Sequence, residues 1–482
     1  MATRDNGASG GTNRGGDSKP GLFERVGKEL ADVVERWMPS PFLFAIILSY
    51  IVFVAGIVFE GSDPLEMTTY WFEGFWAFLA FAMQMTLILM TGFVLAYHPR
   101  VNALLKRLTQ LPSSGKQAVV LVGVFSMAVA WIHWGFSLIL GAIFAREMGK
   151  TAHRNGMPVH YPLLCVAGYM GLGLTWHWGL SASAPLLLNT PENEFIEGGY
   201  IDGIVPASET IFSSYALLLT VSSIVVAAAF LYLLAPGAGR TRSITEFVDE
   251  KNLFDESGAG SDTVPDGGID TYETPAEKID NSRLLGGLIA LGGVVMVGYL
   301  LATEGLNAWN LNLVNFAFLF AGLLVFLRPA YYRERFGEAA EAAAGIILLF
   351  PFFAGIQGMM NASGLSSSIA EGLFAISEPA TFPIVAWIAG GIVNLFVPSG
   401  GGEWIVLGPS VVEAAQGHGV PVGQATIAYA VGDAHTNLFN PFWALPLLAI
   451  TGIKAREMFG YAIAMMLLLT PFLALALTFI PY

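Results

Sequence analysis

Residues 118–145 read AVVLVGVFSMAVAWIHWGFSLILGAIFA, and this stretch decides how the rest of the chain is read. It is apolar from end to end and far longer than the ~20 residues that one helical crossing needs. Lys and Arg flank it on both sides: Arg100, Lys106, Arg107 and Lys116 before it, Arg146, Lys150 and Arg154 after it. Short loops rich in Lys and Arg lie on the cytoplasmic side of a membrane. The block therefore starts and finishes on one side, which a single crossing cannot do. A re-entrant hairpin can, with its tip at Trp131–Phe136, where His133 and Gly135 interrupt the apolar run.

Working outward, further apolar blocks lie at 42–59, 71–96, 162–190, 210–235, 284–302, 311–327, 342–360, 382–398, 424–450 and 458–480. The connecting segments 60–70 and 191–209 carry Glu and Asp without Lys or Arg, so they fall on the opposite side. Of the 482 residues 54% are hydrophobic and 12% charged, and mean hydropathy is +0.60. A soluble domain carries about 25% charged residues. These values exclude a soluble enzyme, a disordered scaffold and a nucleic-acid binder. The formal charge of −14 offers nucleic acid no basic footprint, and the lone Cys165 excludes an intrachain disulfide.

Two polar segments frame the apolar blocks. Residues 1–20 lack the apolar core of a signal peptide. Leu22, Val26, Leu30, Val33 and Trp37 then recur at helical spacing, which predicts an amphipathic helix lying in the interface. Between 244 and 280 stand eleven Asp or Glu against Lys251 and Lys278, the composition of a solvated linker. The expected organisation is a tail and interfacial helix at 1–41, a first transmembrane half at 42–235, an acidic cytoplasmic linker at 236–283 and a second transmembrane half at 284–482. The N-terminus is expected in the cytoplasm.

Irregular backbone inside a membrane must line protein or water, so interrupted spans point to a cavity. Thr175–Pro185 (TWHWGLSASAP) and Val397–Trp404 (VPSGGGEW) are such interruptions, one in each half. Paired interruptions in two halves are the sequence sign of a secondary transporter's midplane site. The fold expected is an all-α polytopic membrane protein, built of two inverted-repeat halves with broken helices and re-entrant hairpins.

Lys and Arg are confined to block ends, which bears on the cargo. A dicarboxylate needs cationic neutralisation, whereas one carboxylate can be held by helix N-terminal N–H groups and hydroxyls. Ser399, Gly400, Gly401 and Gly402, with Ser181 and Ser183, are the candidates for that work; Trp134, Gly135, Trp176 and Trp404 would wall an acyl chain. Close helix packing is the competing explanation for the glycines. His133, His177, Glu403, Asp433 and His435 are ionisable groups within apolar blocks and hence candidates for ion coupling. Asn437 and Asn440, three apart on one helix face before Pro441, could hold Na+ or form an interhelical hydrogen-bond patch. No Gly-x-Ser-x-Gly, His-Glu-x-x-His, Walker A or paired-Cys motif is present.

Several strings resemble one family: VPSGGGEW (397–404) followed by Gly408-Pro409, NPFWALPLLAITGIKAREMFGY (440–461), WGF (134–136), GAIFARE (141–147), SAPLL (184–188), GFWAFLAFAMQMTLILMTG (74–92) and FPFFAGIQGMM (350–360). Together they are similar to the AtoE-type short-chain fatty acid transporters, from about Trp37 to the C-terminus. The resemblance implies uptake of acetoacetate- or butyrate-like monocarboxylates across the cytoplasmic membrane, and membership of a superfamily with inverted repeats and re-entrant hairpins. It departs from the family's pattern at His133, Glu403 and 433–436, which leaves H+ and Na+ both open as coupling ion. A carrier of another small anion, such as a C4-dicarboxylate, and an ion channel or exchanger are the alternatives. No cofactor and no enzymatic activity are expected; the partners expected are the substrate, the bilayer and, by default, a second copy in a homodimer.

Overall fold

The computed structural model describes residues 41–250, 253, 274–396, 398–440 and 442–482. The 1–40 tail, with its expected interfacial helix, lies outside the described residues, as does most of the acidic run between 251 and 273. Among the described residues the regular structure is entirely helical. Before the acidic run come α1 (Pro41–Glu60), α2 (Pro64–Gly74), α3 (Leu79–Ala96), α4 (Pro99–Leu108), α5 (Gly115–Ile132), α6 (Trp134–Arg154), α7 (Tyr161–Tyr169), α8 (Ser183–Leu188) and α9 (Ser214–Leu234). After it come α10 (Arg283–Glu304), α11 (Leu311–Phe326), α12 (Pro329–Ser363), α13 (Leu365–Ala375), α14 (Phe382–Phe396), α15 (Gly400–Gly417), α16 (Val422–Thr436), α17 (Leu445–Thr451) and α18 (Ala455–Phe479).

The 118–145 stretch folds as the flanking charges require. Its apolar run is two helices, α5 and α6, interrupted at His133 alone. The arms lie side by side, with the Ser137 hydroxyl donating across to the Ser126 carbonyl at 2.9 Å. Helices α14 and α15 form the second hairpin, with its break just before Gly400.

A broken helix follows each hairpin. In the first half α7 loosens into a wide turn at Gly171–Thr175, tightens at Trp176–Trp178 and resumes as α8. In the second, α16 ends at Thr436, a tight turn spans Phe442–Ala444, and α17 follows. One long helix closes each series, α9 and α18. The order hairpin, broken helix, straight helix thus occurs twice, and it pairs the break before Gly400 with His133 and the break at 175–185 with the one after Thr436. Pairing 175–185 with 397–404 by composition joins unlike elements, a broken helix and a hairpin tip.

Other apolar blocks are also subdivided. The 71–96 block turns at Phe75–Phe78 between α2 and α3, and α2 begins with a capping box in which Asp63 and Glu66 satisfy each other's backbone N–H groups. The 342–360 block is the latter part of a 35-residue helix, α12, whose first turns carry Arg333, Glu334, Arg335, Glu338 and Glu341.

By length and apolar composition six helices among the described residues can cross a membrane: α3, α5, α9, the helix containing α10, the latter part of α12, and α18. Outward-facing Leu284, Leu288, Ile289 and Val295 on α10 are suited to lipid. Inside, backbones approach closely. A Cβ on Gly432 of α16 would stand 1.9 Å from the Trp387 carbonyl oxygen of α14, so that helix pair can meet only through glycine. Helix α12 lies along α1, α2, α3 and α15, joining the two halves beside the hairpin tips.

Candidate transport site

Helix α15 begins at the second hairpin break. Ser399 is its N-cap: its backbone is extended, its Oγ accepts from the Gly402 N–H at 3.3 Å, and its carbonyl accepts from the Glu403 N–H at 2.8 Å. The first N–H groups of a helix have no acceptor within it, and they carry the positive end of its dipole. Gly400 and Gly401 present this helix end to a narrow, partly open cavity. Ser183 and Ser399 add hydroxyls to the same polar side.

Three indoles wall the cavity. Trp134 meets Trp176 edge-on at 5.9 Å and Trp443 at 5.7 Å. Met85, Leu172, Ile346 and Phe350 complete the apolar side. Both hairpin tips and both broken helices therefore converge here, and among the described residues no lining side chain carries positive charge. Of the substrate-binding residues expected from the sequence, Trp134, Trp176, Ser183, Ser399, Gly400 and Gly401 line the cavity.

The remaining substrate candidates pack elsewhere. Ser181 Oγ accepts from the Trp134 N–H at 2.9 Å, which ties the first broken helix to the first hairpin tip. Gly135 lies against the α3 backbone at Ile88 and Leu89, and Gly402 against Phe353. Trp404 is fully buried, stacked on Phe195 at 5.5 Å and tilted against Tyr429.

Behind Gly400 stand three fully buried ionisable side chains, His177, Glu403 and Asp433. His177 Nδ1 is in close contact with Asp433 Oδ2. Its Nε2 is 2.7 Å from Ser183 Oγ and 3.3 Å from the Ala184 N–H, and its ring stacks on Trp176 at 4.2 Å. Among the described residues no hydrogen-bond donor holds either oxygen of Glu403, whose carboxylate faces that of Asp433. A Cβ at Gly400 would come within 2.9 Å of both Asp433 Oδ2 and His177 Cε1, so glycine is what lets the helix end reach this cluster.

His133 and His435 are not part of it. His133 caps α6, its Nδ1 accepting from the Phe136 N–H at 3.1 Å while Nε2 lies 3.3 Å from Thr91 Oγ1. His435 Nε2 pairs with the Met466 carbonyl at 2.9 Å. Asn437 and Asn440 join a buried amide network: Asn437 Nδ2 donates to the Leu172 carbonyl, and Asn440 Nδ2 to the Asn394 carbonyl. Asn394, whose Nδ2 reaches the Asp433 carbonyl, Thr436 Oγ1 and Asn437 Oδ1, is the network's centre. Reading the sequence missed it, although a lone amide in the apolar 382–396 helix is a visible signal. Met85, Leu172, Ile346 and Phe350 gave no signal, since nothing separates them from other apolar residues before the chain is folded.

Interrupted helices enclosing a polar-ended, Trp-walled cavity at the junction of two similar halves define a multi-pass membrane transporter. Residues 22–480 match the family model described as short chain fatty acid transporter, and the chain belongs to that family. Two bacterial relatives are each provisionally named a short-chain fatty acid transporter. The one from Escherichia coli (strain K12) is 36% identical over 92% of this chain and 97% of its own length. The one from Haemophilus influenzae is 33% identical over 95% of this chain and 100% of its own. Among solved structures the Alcanivorax borkumensis YdaH transporter, described as having an unusual topology, is similar in fold, with a TM-score of 0.50 at 15% identity, covering 91% of this chain and 98% of that one.

Proposed function

We propose that this chain is a secondary active carrier of acetoacetate- or butyrate-like monocarboxylates across the cytoplasmic membrane, driven by a cation gradient. The observation that carries the reading is the make-up of the cavity wall: a helix N-terminus and two hydroxyls at one side, indoles and aliphatic groups at the other, and no Lys or Arg among the described lining residues. N–H donors at a helix end suit one carboxylate, and the apolar side suits a short acyl chain. A dicarboxylate would leave a second charge without a cationic partner.

The coupling cation belongs at His177, Glu403 and Asp433. Two buried carboxylates facing each other repel, and an incoming anion adds to that repulsion. A cation entering with the anion relieves both. H+ and Na+ are the two candidates, and alternating exposure of the cavity to either side completes the cycle. In this reading the N-terminus and the acidic 236–283 linker are cytoplasmic, and the linker joins the halves 42–235 and 284–482.

The test is uptake of labelled butyrate and acetoacetate into proteoliposomes under a pH gradient and, separately, under a Na+ gradient. Saturable accumulation of either acid, driven by one of the gradients and strongly reduced in Glu403→Gln, supports the reading. Failure of both acids to accumulate under both gradients sinks it and favours another anion or an ion channel.

A further inference from the structure

We propose that His177, Glu403 and Asp433 also form a buried site for a divalent transition cation of the zinc class. Three elements supply the ligands: the tight turn at 176–178, the first turn of α15 and the last turns of α16. The nearest ligand atoms all lie within 4.8 Å of one another, and all three side chains have no solvent exposure. Glu403 provides the observation that points to a ligand: both its oxygens are buried and, among the described residues, without a hydrogen-bond donor, and one of them lies within 4.8 Å of the His177 and Asp433 ligand atoms. An unpaired carboxylate in such a place is costly, and a bound cation removes the cost.

The donor set selects the class of ion. Ca2+ and Mg2+ favour all-oxygen shells, whereas an imidazole with two carboxylates suits Zn2+ or Co2+. With ionised carboxylates and a neutral imidazole the cluster carries two negative charges, which a dication balances. Outer support comes from Ser183 and Ala184: His177 Nε2 lies 2.7 Å from Ser183 Oγ and 3.3 Å from the Ala184 nitrogen, which anchors the ring and turns Nδ1 towards the carboxylates. Bonds of about 2.0–2.2 Å set tetrahedral ligands roughly 3.3–3.6 Å apart, so the closely opposed His177 and Asp433 atoms part to admit the ion. Gly400 lies against Asp433 and His177 on one side and lines the cavity on the other.

The inference concerns binding alone and stands or falls apart from transport. The experiment titrates Co2+ into the tag-free, full-length protein in detergent, with absorption spectroscopy, then adds Zn2+. Expected are one Co2+ per chain with the strong visible bands of a tetrahedral site, their loss on adding Zn2+, and affinity lowered about tenfold or more in Glu403→Gln and His177→Gln. Absence of saturable binding to the wild type overturns the proposal, as does an affinity unchanged in both variants. Should the variants fail to fold, the wild-type spectrum decides: bands of octahedral, all-oxygen Co2+ overturn the proposal, and tetrahedral bands displaced by Zn2+ support it.

Discussion

His133 and Ser399 hold equivalent positions in the two hairpins. Each is an extended residue at the point of reversal, with φ −158° and ψ 110° at His133 and φ −155° and ψ 97° at Ser399. Each side chain accepts a hydrogen bond from the N–H three residues ahead, Phe136 or Gly402. An imidazole and a hydroxyl thus do the same work. The next three residues differ, Trp134-Gly135-Phe136 against Gly400-Gly401-Gly402, so one tip supplies an aromatic wall and the other a bare helix end. His133→Leu is expected to lower stability by about 1 kcal/mol through the lost cap, and His133→Asn to retain most of it. Thermal unfolding of the purified variants measures both.

Gly400→Ala tests the bare helix end. The added methyl would stand 2.3 Å from Trp176 Cη2, so the tip must withdraw from His177 and Asp433. Uptake is expected to fall at least tenfold with membrane insertion preserved. Gly292→Ala on α10, which meets nothing within 4 Å, is the control and is expected to be neutral or slightly stabilising. Wild-type uptake in Gly400→Ala counts against the assignment.

Phe350 closes the apolar side of the cavity, with its ring 5.6 Å from that of Phe81 and its tip 3.1 Å from where a Gly401 Cβ would stand. Truncation to Ala opens space along the acyl chain. Competition of butyrate uptake by hexanoate and octanoate is expected to strengthen several-fold in Phe350→Ala relative to wild type. An unchanged chain-length profile places the acyl group elsewhere.

His160, in the loop just before α7, gives a pH test outside the membrane-spanning segments. Burial, and then the neighbouring Arg242 charge, push its imidazole down to about 4, and its Nδ1 accepts from the Arg242 N–H at 3.2 Å. The unfolded chain therefore binds this proton more readily than the folded protein. The contribution to stability is complete above the ordinary histidine value near 6.5 and is lost as pH falls from there towards 4. Thermal unfolding between pH 7 and 4 is expected to show a shallower decline in His160→Gln than in wild type.

Legibility in the sequence depends on what each residue type can signal alone. The 118–145 hairpin was readable because its flanking charges contradict a single crossing. The PSGGG break was readable because Pro and Gly mark where helical donors come free. The joining of His177 to Asp433 was not: they are 256 positions apart, and only the folding of α16 against the first broken helix brings them together. Nor could Ser183 be told from Ser181, since both are buried serines near the same break and only the fold turns one to the cavity and the other to the Trp134 N–H.

Helix α12 has 35 residues, about 50 Å at 1.5 Å per residue, well beyond the ~30 Å of hydrocarbon it traverses. Within it Pro351 removes a backbone hydrogen bond beside Phe350, the residue that closes the cavity's apolar side. The long helix is therefore weakened at the point where it walls the cavity. Tilting of its charged end about that point would move Phe350 relative to the tip of α15, so a push from the water could alter the cavity's shape without touching any group that binds cargo.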